Sequence, residues 1–322
     1  MLIDFEAHYC LDDTFSLRAL VNRDNHDETA GDAPGGPPAG PLENLTLSRI
    51  DVRLADMDRC GIDMQVLSHS AGIEALEPER AVAVARRVND AVYEVMQRHP
   101  GRFLGWAALP VRAPAAAAEE LRRCVQELGF LGWNVYSNFG IRQRLDDPMF
   151  APILEEANRL AIPVYIHPTA PNMAEYQGGP PALWGGLGYA ADTMLTVVKM
   201  QLAGVYDRCP DIRFVLGHLG EGLPFVAKRM GGDPARSGGQ CAHGIDYYLR
   251  NNFYVTTSGQ FDPAAFACTR SVMGAERILF GSDYPMERAA SGVEFLRSLP
   301  LSVEQQRGIA AENGIRALRM QL

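Results

Sequence analysis

The sequence predicts a closed (β/α)8, or TIM, barrel, and three observations carry that prediction. Eight short apolar, β-rich runs recur along the 322 residues, helical stretches separate most of them, and ionisable residues fall at the ends of several runs. A doubly wound open sheet is the competing architecture, but no GxGxxG follows the first strand. No internal repeat of roughly 20–50 residues suggests a solenoid. The chain is expected to form one barrel domain over residues 1–322.

The first run, LIDFEAHY (2–9), raises a physical question. Alternate residues of a strand point to the same side, so Asp4, Glu6 and His8 are expected on one face and Ile3, Phe5, Ala7 and Tyr9 on the other. Three ionisable groups in a buried strand are costly unless something compensates them. Residues 22–44 follow, rich in Gly, Pro, Asp and Asn, and are expected as a long loop insertion after strand one. Loops after barrel strands lie on the catalytic face, so this one reads as a flap over the site or as an ornament without function.

The other strands are expected at MQVLSHS (64–70), FLGWAALP (103–110), FLGWNVYS (130–137), IPVYIHP (162–168), RFVLGHLG (213–220), NFYVTTSG (252–259) and ILFGSDYP (278–285). Between them, 78–100 opens with Pro78 in a first turn, closes at His99-Pro100-Gly101, and carries a stripe at Val84, Val88, Ala91, Val92 and Val95. The helix over 113–129 ends on Gly129. Further helices are expected over 147–161, 193–210, 263–274 and 302–320, with an irregular stretch at 168–190 after strand five.

Composition narrows the partners. The chain is 47% hydrophobic and 21% charged, with a net charge of -9, which argues against nucleic acid or an anionic membrane as partner but allows a small anionic substrate. Six scattered cysteines (10, 60, 124, 209, 241 and 268) form no CxxC pair and read as reduced thiols of a cytoplasmic protein. No signal peptide is expected, because the first strand starts at once and carries charges, and no apolar run is long enough to span a membrane.

Glu6 and His8 end strand one, His167 ends strand five, His218 ends strand six and Asp283 ends strand eight. A barrel brings these distant residues to one mouth, where carboxylates and imidazoles can hold a divalent cation with positions left for water or substrate. A bound metal would answer the question of strand one by compensating the buried carboxylate. Asp4 could orient His8 or a neighbouring strand, or be purely structural. Singly, each histidine fits an ordinary hydrogen-bonded core role. His26 lies in the expected flap, His99 at a helix end and His243 in a Gly-rich connection, while His69 ends strand two, either as a structural residue or facing the site. In GHLGEGLPF (217–225) Glu221 can hydrogen-bond His218 and raise its basicity, or serve as an acidic residue at a helix N-terminus.

IDFEAHY, VYIHPTAP, VLGHLGEGLPF and ILFGSDYPME together resemble the signature blocks of the amidohydrolase-related metal-dependent decarboxylases, a group that includes the γ-resorcylate, dihydroxybenzoate, 5-carboxyvanillate and aminocarboxymuconate semialdehyde decarboxylases. The resemblance also takes in residues 53–68, 83–110 and 145–168. It implies a metal-dependent TIM barrel with one Zn2+ or Mn2+ held by Glu6, His8, His167 and Asp283, with Asp283, His218 and Glu221 as catalytic residues. The ExH form of the first block points to the aromatic-acid branch. Strand four offers Asn134, Tyr136 and Asn138 in place of a lysine, which favours a mononuclear site. Arg229, Arg49 and Asn134 are the expected substrate contacts, with Arg53 a further candidate and Arg229 reaching across a homodimer or homotetramer interface. The implied reaction is non-oxidative decarboxylation of a hydroxylated aromatic or conjugated acid. Hydrolysis or hydration by a metal-activated water on the same ligands is the alternative.

Overall fold

Parallel strands, each buried on both faces, close into a barrel. In the computed structural model, residues 1–17, 47–70, 72–140, 143–173, 176, 180, 182–230 and 240–320 are described. The expected loop at 22–44 lies outside them. The strands are β1 (Ile3–Tyr9), β2 (Met64–His69), β3 (Phe103–Ala107), β4 (Gly132–Tyr136), β5 (Pro163–His167), β6 (Arg213–Leu216), β7 (Phe253–Thr256) and β8 (Ile278–Leu279). They pair in sequence order as an eight-stranded parallel sheet. Backbone bonds from Phe5 N to the Phe280 carbonyl, from Asp283 N to the Glu6 carbonyl and from His8 N to the Tyr284 carbonyl join β1 to the β8 segment and close the ring.

The helices among the described residues are α1 (Ile50–Cys60), α2 (Pro78–Arg98), α3 (Pro114–Gln126), α4 (Ala151–Leu160), α5 (Tyr189–Leu202), α6 (Val205–Arg208), α7 (Leu223–Met230), α8 (Ile245–Asn251), α9 (Pro263–Met273), α10 (Ala289–Ser298), α11 (Val303–Arg307) and α12 (Asn313–Ala317). In α2 the buried stripe is Ala81, Ala85, Val88, Val92 and Val95, rotated slightly from the expected one because Val84 and Ala91 sit at its half-buried margin. The helix expected over 193–210 is split by Gly204 at φ 70°. The helix expected over 302–320 is broken by a π-helical turn at Gly308–Glu312. Beyond that turn Asn313 donates to the carbonyls of Ala275 and Ile278. Ala311 and Leu318 join Ile3, Phe5, Met64, Val66, Trp106 and Tyr165 in one buried cluster, so this segment plugs the end of the barrel away from the site.

Strand β1 departs from the expected alternation. Its register against β2 shifts between Asp4 and Ala7, a β-bulge. Ile3 and Phe5 therefore pack in the barrel interior, while Ala7 and Tyr9 pack in the cluster between sheet and helices. A one-residue slip exchanges the faces of everything beyond it. The consequence is a correction: Asp4 does not share a face with Glu6 and His8. It accepts from Gln65 Nε2 at 2.9 Å, from Ser282 N at 2.9 Å and from Ser282 Oγ at 2.5 Å, and so ties β1 to β2 and to the segment carrying Asp283.

Candidate metal centre and active site

Glu6 is buried, and its two carboxylate oxygens have different surroundings. Oε2 accepts from the hydroxyls of Tyr165 and Ser258 and, at 2.6 Å, from Thr256 Oγ1. Oε1 has no hydrogen-bond partner and lies 3.3 Å from His167 Nε2, which has none either. The tautomer of His167 follows from chemistry. Its Nδ1 lies 2.7 Å from the Pro168 carbonyl, which can only accept, so Nδ1 carries the proton and a neutral ring presents a bare lone pair at Nε2. Two lone pairs then face each other across a buried gap, an arrangement that a cation between them stabilises.

His8 Nε2 is 2.9 Å from Asp283 Oδ1, and Ser68 Oγ is 3.1 Å from His8 Nδ1, so Ser68 fixes the ring from behind. One donor atom from each of Glu6, His8, His167 and Asp283 falls within 4.8 Å of all the others. Two carboxylates and two imidazoles suit a divalent ion of intermediate hardness. The donor set and the orphaned Glu6 Oε1 and His167 Nε2 fit such an ion.

His218 stands beside this cluster on a strained turn. Strand β6 ends at Leu216, and His218, Leu219 and Glu221 all adopt left-handed φ between 52° and 56°, with Gly220 and Gly222 also at positive φ. Asp283 has φ 64°. Such conformations cost of order 1–3 kcal/mol each for non-glycine residues, and they concentrate at functional sites. The turn brings His218 Nδ1 to 2.5 Å from Glu221 Oε1. It aims Nε2 between Asp283 Oδ2 at 3.7 Å and Glu6 Oε1 at 3.9 Å.

The electrostatics follow the geometry. Burial would raise the Glu6 carboxyl, but the charge on His218 outweighs it and holds the group below its ordinary value. Asp283 is likewise drawn down, against burial, by His218 and His8. Burial lowers His8, with Asp283 opposing in part, whereas for His218 the carboxylates of Glu221 and Glu6 overcome burial and hold the ring protonated.

A family profile described as amidohydrolase matches residues 3–320. The chain belongs to the amidohydrolase family. Within that family it is similar to the γ-resorcylate decarboxylase of Rhodococcus jostii (strain RHA1), at 35% identity over 308 residues, covering 89% of this chain and 93% of the relative. Its fold matches the solved 2,6-dihydroxybenzoate decarboxylase from Rhizobium, with a TM-score of 0.85 and 29% identity over 99% of this chain and 98% of the other. A dihydroxybenzoic acid decarboxylase from Polaromonas sp. JS666, solved with bound manganese and the inhibitor 2-nitroresorcinol, matches with a TM-score of 0.85 and 29% identity, covering 99% and 96% of the two chains.

The other expected site residues of this amidohydrolase are scattered. Asn134 is buried on β4, next to Tyr136, whose ring lies 5.7 Å from that of His167. Arg49 is exposed, with Nε and Nη2 donating to Asp51 at 3.0 and 2.8 Å. Arg229 is exposed on α7. Arg53 is fully buried, where it donates to Gln65 Oε1 and to the His8 and Leu47 carbonyls and stacks on Tyr284. Its guanidinium supports the His8 backbone and does not face a substrate. Sequence reasoning overlooked Tyr165, Thr256, Ser258 and Ser68. Tyr165 precedes His167 by two and Ser68 is the β2 partner of His8, so strand alternation and pairing could have singled out both.

Proposed function

We propose that this protein is a metal-dependent carboxy-lyase that removes CO2, without redox chemistry, from a hydroxylated aromatic acid. The observation that carries the reading is the facing pair of unpartnered acceptors, Glu6 Oε1 and His167 Nε2, beside the His218–Glu221 pair. Relatives named as γ-resorcylate and dihydroxybenzoate decarboxylases support it over hydrolysis.

Glu6, His8, His167 and Asp283 would hold one divalent ion, manganese or zinc, the manganese of the Polaromonas neighbour favouring the former. When bound, the ion supplies Lewis-acid stabilisation of developing oxyanion charge. Asp283, held ionised beside His218 and His8, takes a proton from the His218 imidazolium, whose Nε2 lies 3.7 Å from Oδ2, and delivers it to the ring carbon that bears the carboxylate. The C–C bond to the carboxylate then breaks, its electron pair returns to the ring, and CO2 leaves. His218, held in one orientation by Glu221, manages the proton of the adjacent hydroxyl. The strained turn fixes the imidazole, so little reorganisation is needed during the reaction.

The same proposal includes one barrel domain spanning the chain, a cytoplasmic location and a homodimer or homotetramer. Among the described residues no helix is long and apolar enough to cross a membrane. Phe225 on α7 is 82% exposed and lies four residues before Arg229, on the same side of the helix, an apolar face that a second copy would cover while bringing its arginine to the substrate. Arg49 and Asn134 remain proposed substrate contacts.

The test is CO2 release from a panel of hydroxybenzoates by manganese-loaded protein, run beside a panel of esters, lactones and amides. Turnover of a hydroxybenzoate is expected. A silent acid panel with cleavage in the other would transfer the site to hydrolysis.

A further inference from the structure

Next to the metal donors lies a second polar feature that the proposed chemistry does not use. The ends of β2 and β4 and the turn at Ile73–Ala75 enclose a cavity of about 20 Å3, lined by Ser70, Glu74, Asn134 and Tyr136 with Leu109 and Val111. Glu74 is 6% exposed and Ser70 5%, and neither Glu74 Oε1 nor Ser70 Oγ has a hydrogen-bond partner. A carboxyl oxygen and a hydroxyl left unpartnered in one small buried space are costly to folding and need a reason.

Position supplies one. Ser68, which bonds His8 Nδ1, lies near the end of β2, and Ser70 follows the last residue of that strand. Tyr136 is the register partner of His167, their rings are 5.7 Å apart, and Tyr136 also lines the cavity, so the cavity and the metal donors share this residue. A ring held at the metal could therefore project one substituent toward Ser70 and Glu74. The space admits about one water-sized group, which selects a hydroxyl or amino group and rejects a methoxy or carboxyl.

We propose that the Ser70–Glu74–Asn134 cavity is the subsite for a hydrogen-bond-donating ring substituent of the acid, a phenolic hydroxyl or an amino group, with Glu74 Oε1 as acceptor. The proposal rests on the decarboxylase reading and specifies its substrate class. Burial pushes the Glu74 carboxyl up to about 7, which suits a site beside an anionic substrate.

The experiment compares kcat/KM for 2-hydroxybenzoate with that for the 2,3-, 2,4-, 2,5- and 2,6-dihydroxy isomers, and for the corresponding aminosalicylates, in wild type, Glu74→Gln and Glu74→Met. Wild type is expected to favour one position of the second substituent. Glu74→Met should reduce that preference about tenfold, and Glu74→Gln, which keeps an acceptor oxygen, should retain most of it. An unchanged preference in Glu74→Met, whether or not its melting temperature moves, overturns the subsite alone. A panel inert to wild type overturns the decarboxylase reading and the subsite with it.

Discussion

Replacing Gly259 by alanine tests whether the placement of His218 limits catalysis. Gly259 sits at φ +61°, and a Cβ built on it would meet His218 Cδ2 at 2.8 Å and Asp283 Oδ2 at 3.4 Å. Alanine in this left-handed conformation costs roughly 1–2 kcal/mol, which lowers Tm by about 1–3 °C in a chain of this size. The steric part is separate. Ordinary contact begins at 3.4 Å, so the imidazole must retreat by 3.4 − 2.8 = 0.6 Å. It cannot do so freely, because Nδ1 is held 2.5 Å from Glu221 Oε1. Displacement of a reacting group by about 1 Å costs on the order of a hundredfold, so kcat/KM should fall about 10- to 100-fold. Gly101→Ala is the control: its φ is +76°, but nothing lies within 4 Å of the built Cβ. It should show the same loss of Tm with kcat/KM unchanged. Steady-state kinetics and thermal melts on both variants give the comparison. Wild-type kcat/KM in Gly259→Ala would refute the claim that His218 acts on the substrate from this position.

The remaining predictions address other parts of the site and its supports. His218→Asn should lower kcat by about 10²- to 10⁴-fold while the manganese content measured by plasma emission stays at the wild-type value. Glu6→Gln should abolish the rise in Tm that added manganese gives the wild type, since it removes the charged donor. Glu74 contributes a pH-dependent penalty: its carboxyl rises from 4.5 unfolded to about 7 folded, so the cost is absent below pH 4.5, grows as pH rises through 7, and reaches about 3 kcal/mol above it. Melts of Glu74→Met and wild type should therefore coincide at pH 4.5 and diverge by pH 8, with the variant higher. Arg144→Met leaves Asp192 buried without its 2.5 Å ion-pair partner and should destabilise the fold by about 3–5 kcal/mol in chemical denaturation.

Strand positions were legible because each is a short β-rich run bounded by turn residues, and a parallel barrel buries both faces of such runs. The bulge in β1 was not. It leaves the period-two pattern of IDFEAHY intact in the sequence while reversing which side its later half faces. Asp4 was accordingly placed with Glu6, whereas its partners are Gln65 and Ser282. Strand six was read through Gly220, yet it stops at Leu216, because the spaced glycines of GHLGEG serve a left-handed turn. The role of Arg53 was also hidden. Sequence shows a cation on a helix, and only packing shows that its donors meet the His8 and Leu47 carbonyls. Helix α8, at seven residues, is too short to show a stripe and was not read, nor was α10.

Glu6 shows why the site is more than a set of buried charges in proximity. A buried carboxylate can be stabilised by hydroxyl donors alone, and Tyr165, Thr256 and Ser258 supply three. A purely structural carboxylate would distribute them over both oxygens. Here all three converge on Oε2, from β5, from β7 and from the residues just beyond β7, so Oε1 faces the cluster without a donor. The one nitrogen in reach, His167 Nε2, could donate only as an imidazolium, because Nδ1 already gives its proton to the Pro168 carbonyl. That imidazolium would sit between His8 and a protonated His218, whose ring centroids are 4.6 and 5.9 Å from its own. A divalent ion removes the difficulty, because it takes the lone pairs of Glu6 Oε1 and His167 Nε2 together and leaves the His167 Nδ1 proton in its bond to the Pro168 carbonyl.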